Sequence, residues 1–120
     1  MRTAVGVAAV LGAVAFGTGA CGEDSEKTER GNCGGASYEL AVEEEKDGLE
    51  VTFELQSSGP GEAWNVVVEQ DGTSLLEGER QTDEDGELDV DAFADKSDGT
   101  SFKVTATPES GEACTASIDF

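Results

Sequence analysis

Five acidic side chains are the main candidates for metal chemistry. They alternate over nine residues: Asp83, Asp85, Glu87, Asp89 and Asp91. Clustered carboxylate oxygens are the ligands that Ca²⁺ prefers, but the EF-hand spacing fails here, because the sixth position counted from Asp83 is Leu88 and not glycine. The same alternation is typical of the solvent face of a strand that buries Leu88 and Val90. We therefore expect a solvated strand face, with calcium binding by these carboxylates as the alternative.

Histidine is absent from the 120 residues. This removes the usual general base and the commonest metal ligand, and with them Ser-His and Cys-His nucleophiles and His-ligated zinc or copper sites. Paired carboxylates could in principle cleave glycosides. In a small domain this rich in acidic residues, however, close pairs are unavoidable and carry little information. We expect no enzymatic activity and no cofactor.

The charge balance limits the partners. The chain has 27 Asp and Glu against 7 Lys and Arg, a net charge of −20. Nucleic acid is excluded as a partner, because a polyanion releases no counterions onto an acidic surface. Acidic strand faces and turns keep a protein soluble through self-repulsion. They also attract cationic surfaces, so a protein partner with a basic surface is the kind that this charge would favour.

The N-terminal twenty residues have the composition of a secretory signal. Arg2 is followed by an apolar stretch rich in Ala, Val and Gly, and small residues precede Cys21. Gly19-Ala20-Cys21 resembles the lipobox of bacterial lipoproteins. The resemblance implies cleavage after Ala20, a diacyl or triacyl lipid on Cys21, and anchoring to the outer face of the cell membrane. Ordinary secretion after cleavage at Ala20 and a retained anchor are the alternatives.

The cysteine count agrees with that interpretation. The chain has three cysteines, and an odd thiol is unusual in a secreted protein. If Cys21 carries lipid, Cys33 and Cys114 are left to form a disulfide that ties the start of the domain to its last strand. A free-thiol pair and a redox-active pair are the alternatives, the latter without the usual CxxC spacing.

The segment between the lipidation site and Cys33 is polar. Residues 22–32 read GEDSEKTERGN and contain no apolar side chain. Such a segment buries nothing to offset the entropy of ordering it. We therefore predict a flexible tether over residues 21–32 and a folded domain over residues 33–120.

The domain is punctuated by turn signals. They are Asp47-Gly48, Gly59-Pro60-Gly61, Asp71-Gly72, Asp85-Gly86, Asp98-Gly99 and Ser110-Gly111. These six turns divide the domain into seven short segments, a spacing typical of an all-β sandwich or barrel. Apolar residues alternate within the segments, most clearly at Leu49, Val51, Phe53 and Leu55. We predict no long helix and at most a short helical turn over residues 92–96.

Two stretches of the second half carry a family resemblance. Residues 81–90, QTDEDGELDV, and residues 99–107, GTSFKVTAT, resemble the corresponding half of immunoglobulin-like and fibronectin type III-like domains. The resemblance implies a seven-stranded antiparallel sandwich. Phe102 stands where those domains often have tyrosine, so a tyrosine-corner hydrogen bond is not expected. Trp64 lies where such sandwiches bury an aromatic ring, and we expect it in the core.

Together these patterns predict a non-catalytic cell-envelope lipoprotein. It would display one small acidic β-sandwich as a binding or structural module. Its partners would be the membrane, through the lipid on Cys21, and a protein of basic surface. A calcium- or cation-binding surface protein is the alternative function.

Overall fold

The computed structural model describes residues 25–120, which are almost entirely β-structure. Eight strands follow one another within this range: β1 Glu26–Cys33, β2 Ala36–Glu45, β3 Gly48–Gln56, β4 Ala63–Gln70, β5 Thr73–Gln81, β6 Glu87–Ala94, β7 Ser101–Pro108 and β8 Cys114–Asp119. A single 3₁₀ turn, Lys96–Asp98, lies between β6 and β7. The all-β prediction is confirmed. The helical turn predicted over residues 92–96 is wrong in position, because residues 92–94 continue β6 and bury Ala92, and the 3₁₀ turn begins at Lys96.

The strands form two antiparallel four-stranded sheets. The first sheet has the order β1-β2-β3-β6 and the second has the order β5-β4-β7-β8. All six predicted turns lie at the connections between consecutive strands from β2 to β8, with Gly48 as the first residue of β3. At Gly86 the backbone has a φ of 79°, and a side chain there would lie 2.8 Å from the carbonyl oxygen of Ser57. Glycine is therefore required at this turn for both its conformation and its lack of a Cβ.

The core lies between the two sheets. Each strand from β3 to β8 except β5 places alternate residues inward, as the period of two requires. The predicted inward set of β3 is buried: Leu49, Val51, Phe53 and Leu55. Trp64 is 5% exposed, which confirms its predicted place in the core. Phe102 on β7 is buried with it, so the aromatic residues expected inside are inside.

The first strand corrects the sequence prediction. Residues 26–32 were expected in a flexible tether, but Glu26–Cys33 forms an eighth strand that pairs along its whole length with β2. The seven-strand prediction is therefore wrong by one strand. Pairing at a sheet edge uses backbone N–H and C=O groups, so β1 needs no apolar side chains of its own. Gly34-Gly35 forms the tight turn that returns the chain into β2, and Gly34 has the positive φ that such turns use.

Side chains fasten β1 to the opposite sheet. The Lys27 ammonium donates to the Asp119 carbonyl at 2.9 Å. The Tyr38 hydroxyl passes over Gly31 and donates to the Thr115 carbonyl at 3.2 Å. A Cβ on Gly31 would lie 2.5 Å from that hydroxyl oxygen, so the absence of a side chain creates the space for the tyrosine. These contacts close the edge where β1 and β8 meet.

Cys33 and Cys114 form a disulfide with their Cα atoms 5.5 Å apart. It joins the end of β1 to the start of β8, across the two sheets. The predicted pairing is confirmed. Because 81 positions of sequence separate the two cysteines, the bridge encloses nearly the whole domain.

Candidate functional site

The outer face of the first sheet concentrates negative charge. The strand register puts residues of all four strands side by side, for example Arg30, Glu39, Glu54 and Asp89 in one row. We call this surface the acidic face. Its carboxylates are Glu26, Glu39, Glu43, Glu45, Glu50, Glu54, Glu87, Asp89 and Asp91. A shallow depression of about 490 Å³ crosses it at the row of Arg30 and Glu39.

Cations are scarce on the acidic face. In the part of the chain that the structure describes, Arg30 is the basic residue that the register places there. Its guanidinium lies 3.4 Å from Glu39 and is 75% exposed, so the ion pair is weak. The outer face of the second sheet carries fewer charges among neutral residues such as Asn65 and Thr105. Its charged residues are Glu69, Glu77, Glu79, Asp119 and Lys103. Acidic charge is therefore more concentrated on the first sheet than on the second.

The carboxylates singled out in the sequence have two different roles. Asp83 Oδ1 accepts hydrogen bonds from the backbone N–H groups of Asp85, at 2.8 Å, and Glu87, at 2.9 Å. Asp83 thus builds the turn before β6. Glu87, Asp89 and Asp91 follow on the outward side of β6 and belong to the acidic face. Residues two apart on a strand are separated by about 6.6 Å, so these three side chains line up along the strand and do not converge on one point.

Electrostatic repulsion acts on this row. Asp83 is the main cause of a raised pKa at Glu87, and Asp85, Asp89 and Glu54 add to it. A neighbouring negative charge favours the protonated form of a carboxyl group. The acidic face therefore holds like charges close enough to oppose one another.

A different trio of carboxylates does converge. Oxygens of Glu43 and Glu45 on β2 and of Glu50 on β3 lie within 4.8 Å of one another, beside the turn that joins these strands. The sequence analysis did not consider a metal site there, because Glu50 belongs to the facing strand and only the register brings it beside Glu43. Three carboxylate oxygens are hard ligands of the kind that Ca²⁺ accepts, although that ion usually takes six or more.

Phe93 lies next to this trio. It is 72% exposed, the one large hydrophobic side chain with that much exposure among residues 25–120. Its partner across the strands is Glu50. Phe93, Lys46 and Leu49 line a hollow of about 290 Å³ beside the β2–β3 turn. The sequence analysis missed Phe93, since an outward position on a strand gives an aromatic residue no distinguishing signal.

The opposite end of the domain is organised by Glu62. Its carboxylate accepts hydrogen bonds from the Ser57 hydroxyl, from Ser58 at 3.4 Å and from the Trp64 indole at 3.3 Å. The Ser57 hydrogen bond is the largest cause of a lowered pKa at Glu62. The buried Thr82 hydroxyl donates to the Gly59 carbonyl and accepts from the Glu62 N–H, each at 2.8 Å. This network fixes the loop between β3 and β4, so Glu62 has a structural role.

Comparison with protein-family models, with curated proteins and with solved structures finds no match. The predicted signal segment, residues 1–20, and the predicted lipidation site, Cys21, lie outside the described residues. Within residues 25–120 no helix has the length and apolar character needed to cross a membrane. The acidic face is consequently the feature on which a function can be argued.

Proposed function

We propose that this chain is a non-catalytic cell-envelope lipoprotein whose folded domain binds a cationic partner through the acidic face. The observation that carries the proposal is the charge asymmetry of the two sheets. One outer face gathers nine carboxylates around a lone arginine, whereas the other carries four carboxylates and one lysine. Charge that served only solubility would not need to be concentrated on one sheet.

We also propose that the domain is an immunoglobulin-like β-sandwich with one added strand. Strands β2, β3 and β6 supply one layer, and β5-β4-β7-β8 supply the other. In the second sheet, β4, β7 and β8 correspond to the three-stranded CFG sheet of immunoglobulin domains. Strand β5 extends this sheet at the edge where variable-type domains also add strands. Strand β1 then adds to the free edge of β2. Such domains are display scaffolds with many functions, so the fold supports a binding role without naming the partner.

A cationic partner fits the acidic face on physical grounds. Complementary charge accelerates encounter and selects partners more than it adds affinity. The row containing Glu39, Glu54 and Asp89 borders the depression of about 490 Å³, which gives basic side chains a concave place to enter. The matching partner chemistry is a lysine- or arginine-rich protein surface.

The binding experiment compares two charge-removal variants. The first is Glu54→Gln with Asp89→Asn, on the acidic face; the control is Glu77→Gln with Glu79→Gln, on the other outer face. Both lose two charges from exposed strand positions. Proteins crosslinked to the wild-type domain in the envelope are identified, and their affinity is measured at several salt concentrations. The proposal expects a basic partner whose affinity falls with the first variant and with salt; equal losses from both variants would contradict it.

The anchor has its own test. Labelling cells with a fatty-acid analogue should mark the wild-type protein, and Cys21→Ser should abolish both the label and the membrane fraction. Membrane association that persists without lipid would remove the lipoprotein proposal. The binding proposal would survive that result, because it depends on the domain alone.

A divalent cation is a second candidate ligand, favoured by the convergence of Glu43, Glu45 and Glu50. The alternating carboxylates of residues 83–91 are the other place where it could bind. Calorimetry with CaCl₂ at physiological salt distinguishes the two, using Glu50→Gln and Asp89→Asn. Loss of saturable binding in Glu50→Gln alone assigns the ion to the trio; loss in Asp89→Asn alone assigns it to β6. Heat changes that salt alone reproduces would exclude both.

A further inference from the structure

We propose that the end of the domain carrying Phe93 and the β2–β3 turn rests on the zwitterionic headgroups of the membrane to which the chain is anchored. This placement depends on the lipid at Cys21 that the proposed function includes. It replaces the expectation of a domain that hangs freely on a flexible tether over residues 21–32.

The length of the linker is the first argument. Ser25 is already held by the fold, since its carbonyl accepts a hydrogen bond from the Glu44 N–H at 2.8 Å. Only residues 22–24 separate it from Cys21. Four Cα steps span at most about 14 Å when fully extended. The lipidated residue therefore stays within about 14 Å of Ser25, whatever path the linker takes.

The position of Ser25 within the fold is the second argument. Glu26, Glu43, Glu50 and Phe93 form one row across the first sheet, so the chain enters the domain at the level of Phe93. The tip of the β2–β3 turn lies three residues beyond Glu43, or about 10 Å further along the strand direction. A domain that hangs from Ser25 thus brings this turn close to the headgroups, which are about 5–7 Å thick on each side of the bilayer.

The chemistry of this end is the third argument. Phe93 offers an exposed ring at the level of the linker. Lys46 lines the same hollow and carries an apolar stem with a cationic tip, which suits an interface between headgroups and acyl chains. The Glu43, Glu45 and Glu50 carboxylates beside them would repel an anionic surface. A zwitterionic surface is therefore the lipid chemistry that fits.

This placement determines what remains accessible. The loops of the other end, including the Gly34-Gly35 turn and the loop held by Glu62, point away from the membrane. The acidic face stands on the side of the domain, where a partner can approach along the membrane surface. Membrane contact then uses the Phe93 end of the acidic face, and the row of Glu39, Glu54 and Asp89 stays open to a partner.

The test measures how close each end lies to the acyl chains. Lipidated protein is reconstituted into phosphatidylcholine vesicles with brominated acyl chains, which quench tryptophan at short range. Phe93→Trp reports on the proximal end and Ser110→Trp on the distal end, and both retain Trp64. Each site is exposed, so thermal melting should show both variants folded. We expect at least a twofold greater quenched fraction for Phe93→Trp.

The linker supplies a further variant. Ten Gly and Ser residues inserted between Gly22 and Glu23 should lower the quenching of Phe93→Trp toward that of Ser110→Trp. Equal quenching of both reporters in protein that mass spectrometry shows to be lipidated would overturn the placement alone. Absence of lipid on Cys21 would overturn the anchor proposal and the placement together.

Discussion

Reduction of the Cys33–Cys114 disulfide should remove a large part of the domain's stability. The bridge closes a loop across a sequence separation of 81, so it strongly restricts the unfolded chain. The chain-entropy relation gives about 4.5 kcal/mol for a loop of this length at 25 °C. For a domain of this size that corresponds to a fall in Tm of about 20–35 °C. Typical domains are stable by only about 5–15 kcal/mol, so the reduced protein should be marginal.

The loss of stability on reduction should appear first as faster opening of β1. This strand has no buried residue, and without the bridge it is held by its ladder with β2 and by contacts such as the hydrogen bond of Lys27. Edge segments with little apolar contact open most easily. In reduced protein the amides of β1 should exchange with solvent much faster, while those of the central strand β3 lose protection only through global unfolding.

The assay is urea denaturation of the same protein with and without a phosphine reductant. Reduction changes no packing volume, which matters because Cys114 is 1% exposed and a substitution there also leaves a cavity. A Cys33→Ser, Cys114→Ala double variant serves as control, since the reductant should not affect it. A loss below about 1.5 kcal/mol on reduction would refute the loop-closure reasoning.

Three further changes test local features. Gly31→Ala should destabilise the domain by about 1–3 kcal/mol in urea melts, because its Cβ would displace the Tyr38 ring, whereas Gly35→Ala, with open space around it, should cost far less. Thr82→Val keeps the shape of a buried side chain but leaves the Gly59 carbonyl and the Glu62 N–H without their partner, at a cost of about 1–3 kcal/mol; the exposed Thr107→Val is the control. Neighbouring carboxylates raise the pKa of Glu87 in the folded state, so ionised Glu87 opposes folding at neutral pH and this penalty disappears as pH falls through the raised pKa. Glu87→Gln should therefore raise the Tm at pH 7 more than Glu109→Gln does, with a gain that shrinks in acid and in high salt, and identical shifts for both variants would contradict a local cause.

Much of this fold could be predicted because its signals are local. Asp-Gly pairs supply the positive φ of tight turns, and all six predicted turns are turns. Alternation at Leu49, Val51, Phe53 and Leu55 identified the buried face of β3 without knowledge of its neighbours. The disulfide could be predicted by counting cysteines, since assigning Cys21 to the proposed lipid leaves one pair. None of these inferences requires a contact between distant residues.

Apart from Phe93, the missed features depend on contacts between different strands and loops. Strand β1 has polar side chains and forms because the edge of β2 offers it backbone hydrogen-bond partners, which no local sequence pattern reveals. Gly34-Gly35 was the only turn signal that could have indicated it. Glu62 and Thr82 have structural roles only because the β3–β4 loop packs against the segment that joins β5 to β6. The Glu43, Glu45 and Glu50 trio likewise exists only in the observed register.

The register that buries the core also imposes a cost on the acidic face. Placing Val51 and Phe53 inward sets Glu39 opposite Glu54 and Glu54 opposite Asp89. Like charges directly opposite on neighbouring strands are destabilising, by up to about 1 kcal/mol per pair. Burial of each large apolar side chain contributes about 1.5–3 kcal/mol, so the register is retained despite the repulsion.

The repulsion within the acidic face can contribute to the binding of a cationic ligand. A cationic partner that covers the face would relieve it on binding, so part of the binding free energy would come from the folded domain's own unfavourable charge. The relief should raise the Tm of the bound domain beyond the gain seen when salt alone screens the same charges. Removing charge from the less acidic outer face of the second sheet should change this gain in Tm much less, and this difference distinguishes a face selected for binding from one selected for solubility.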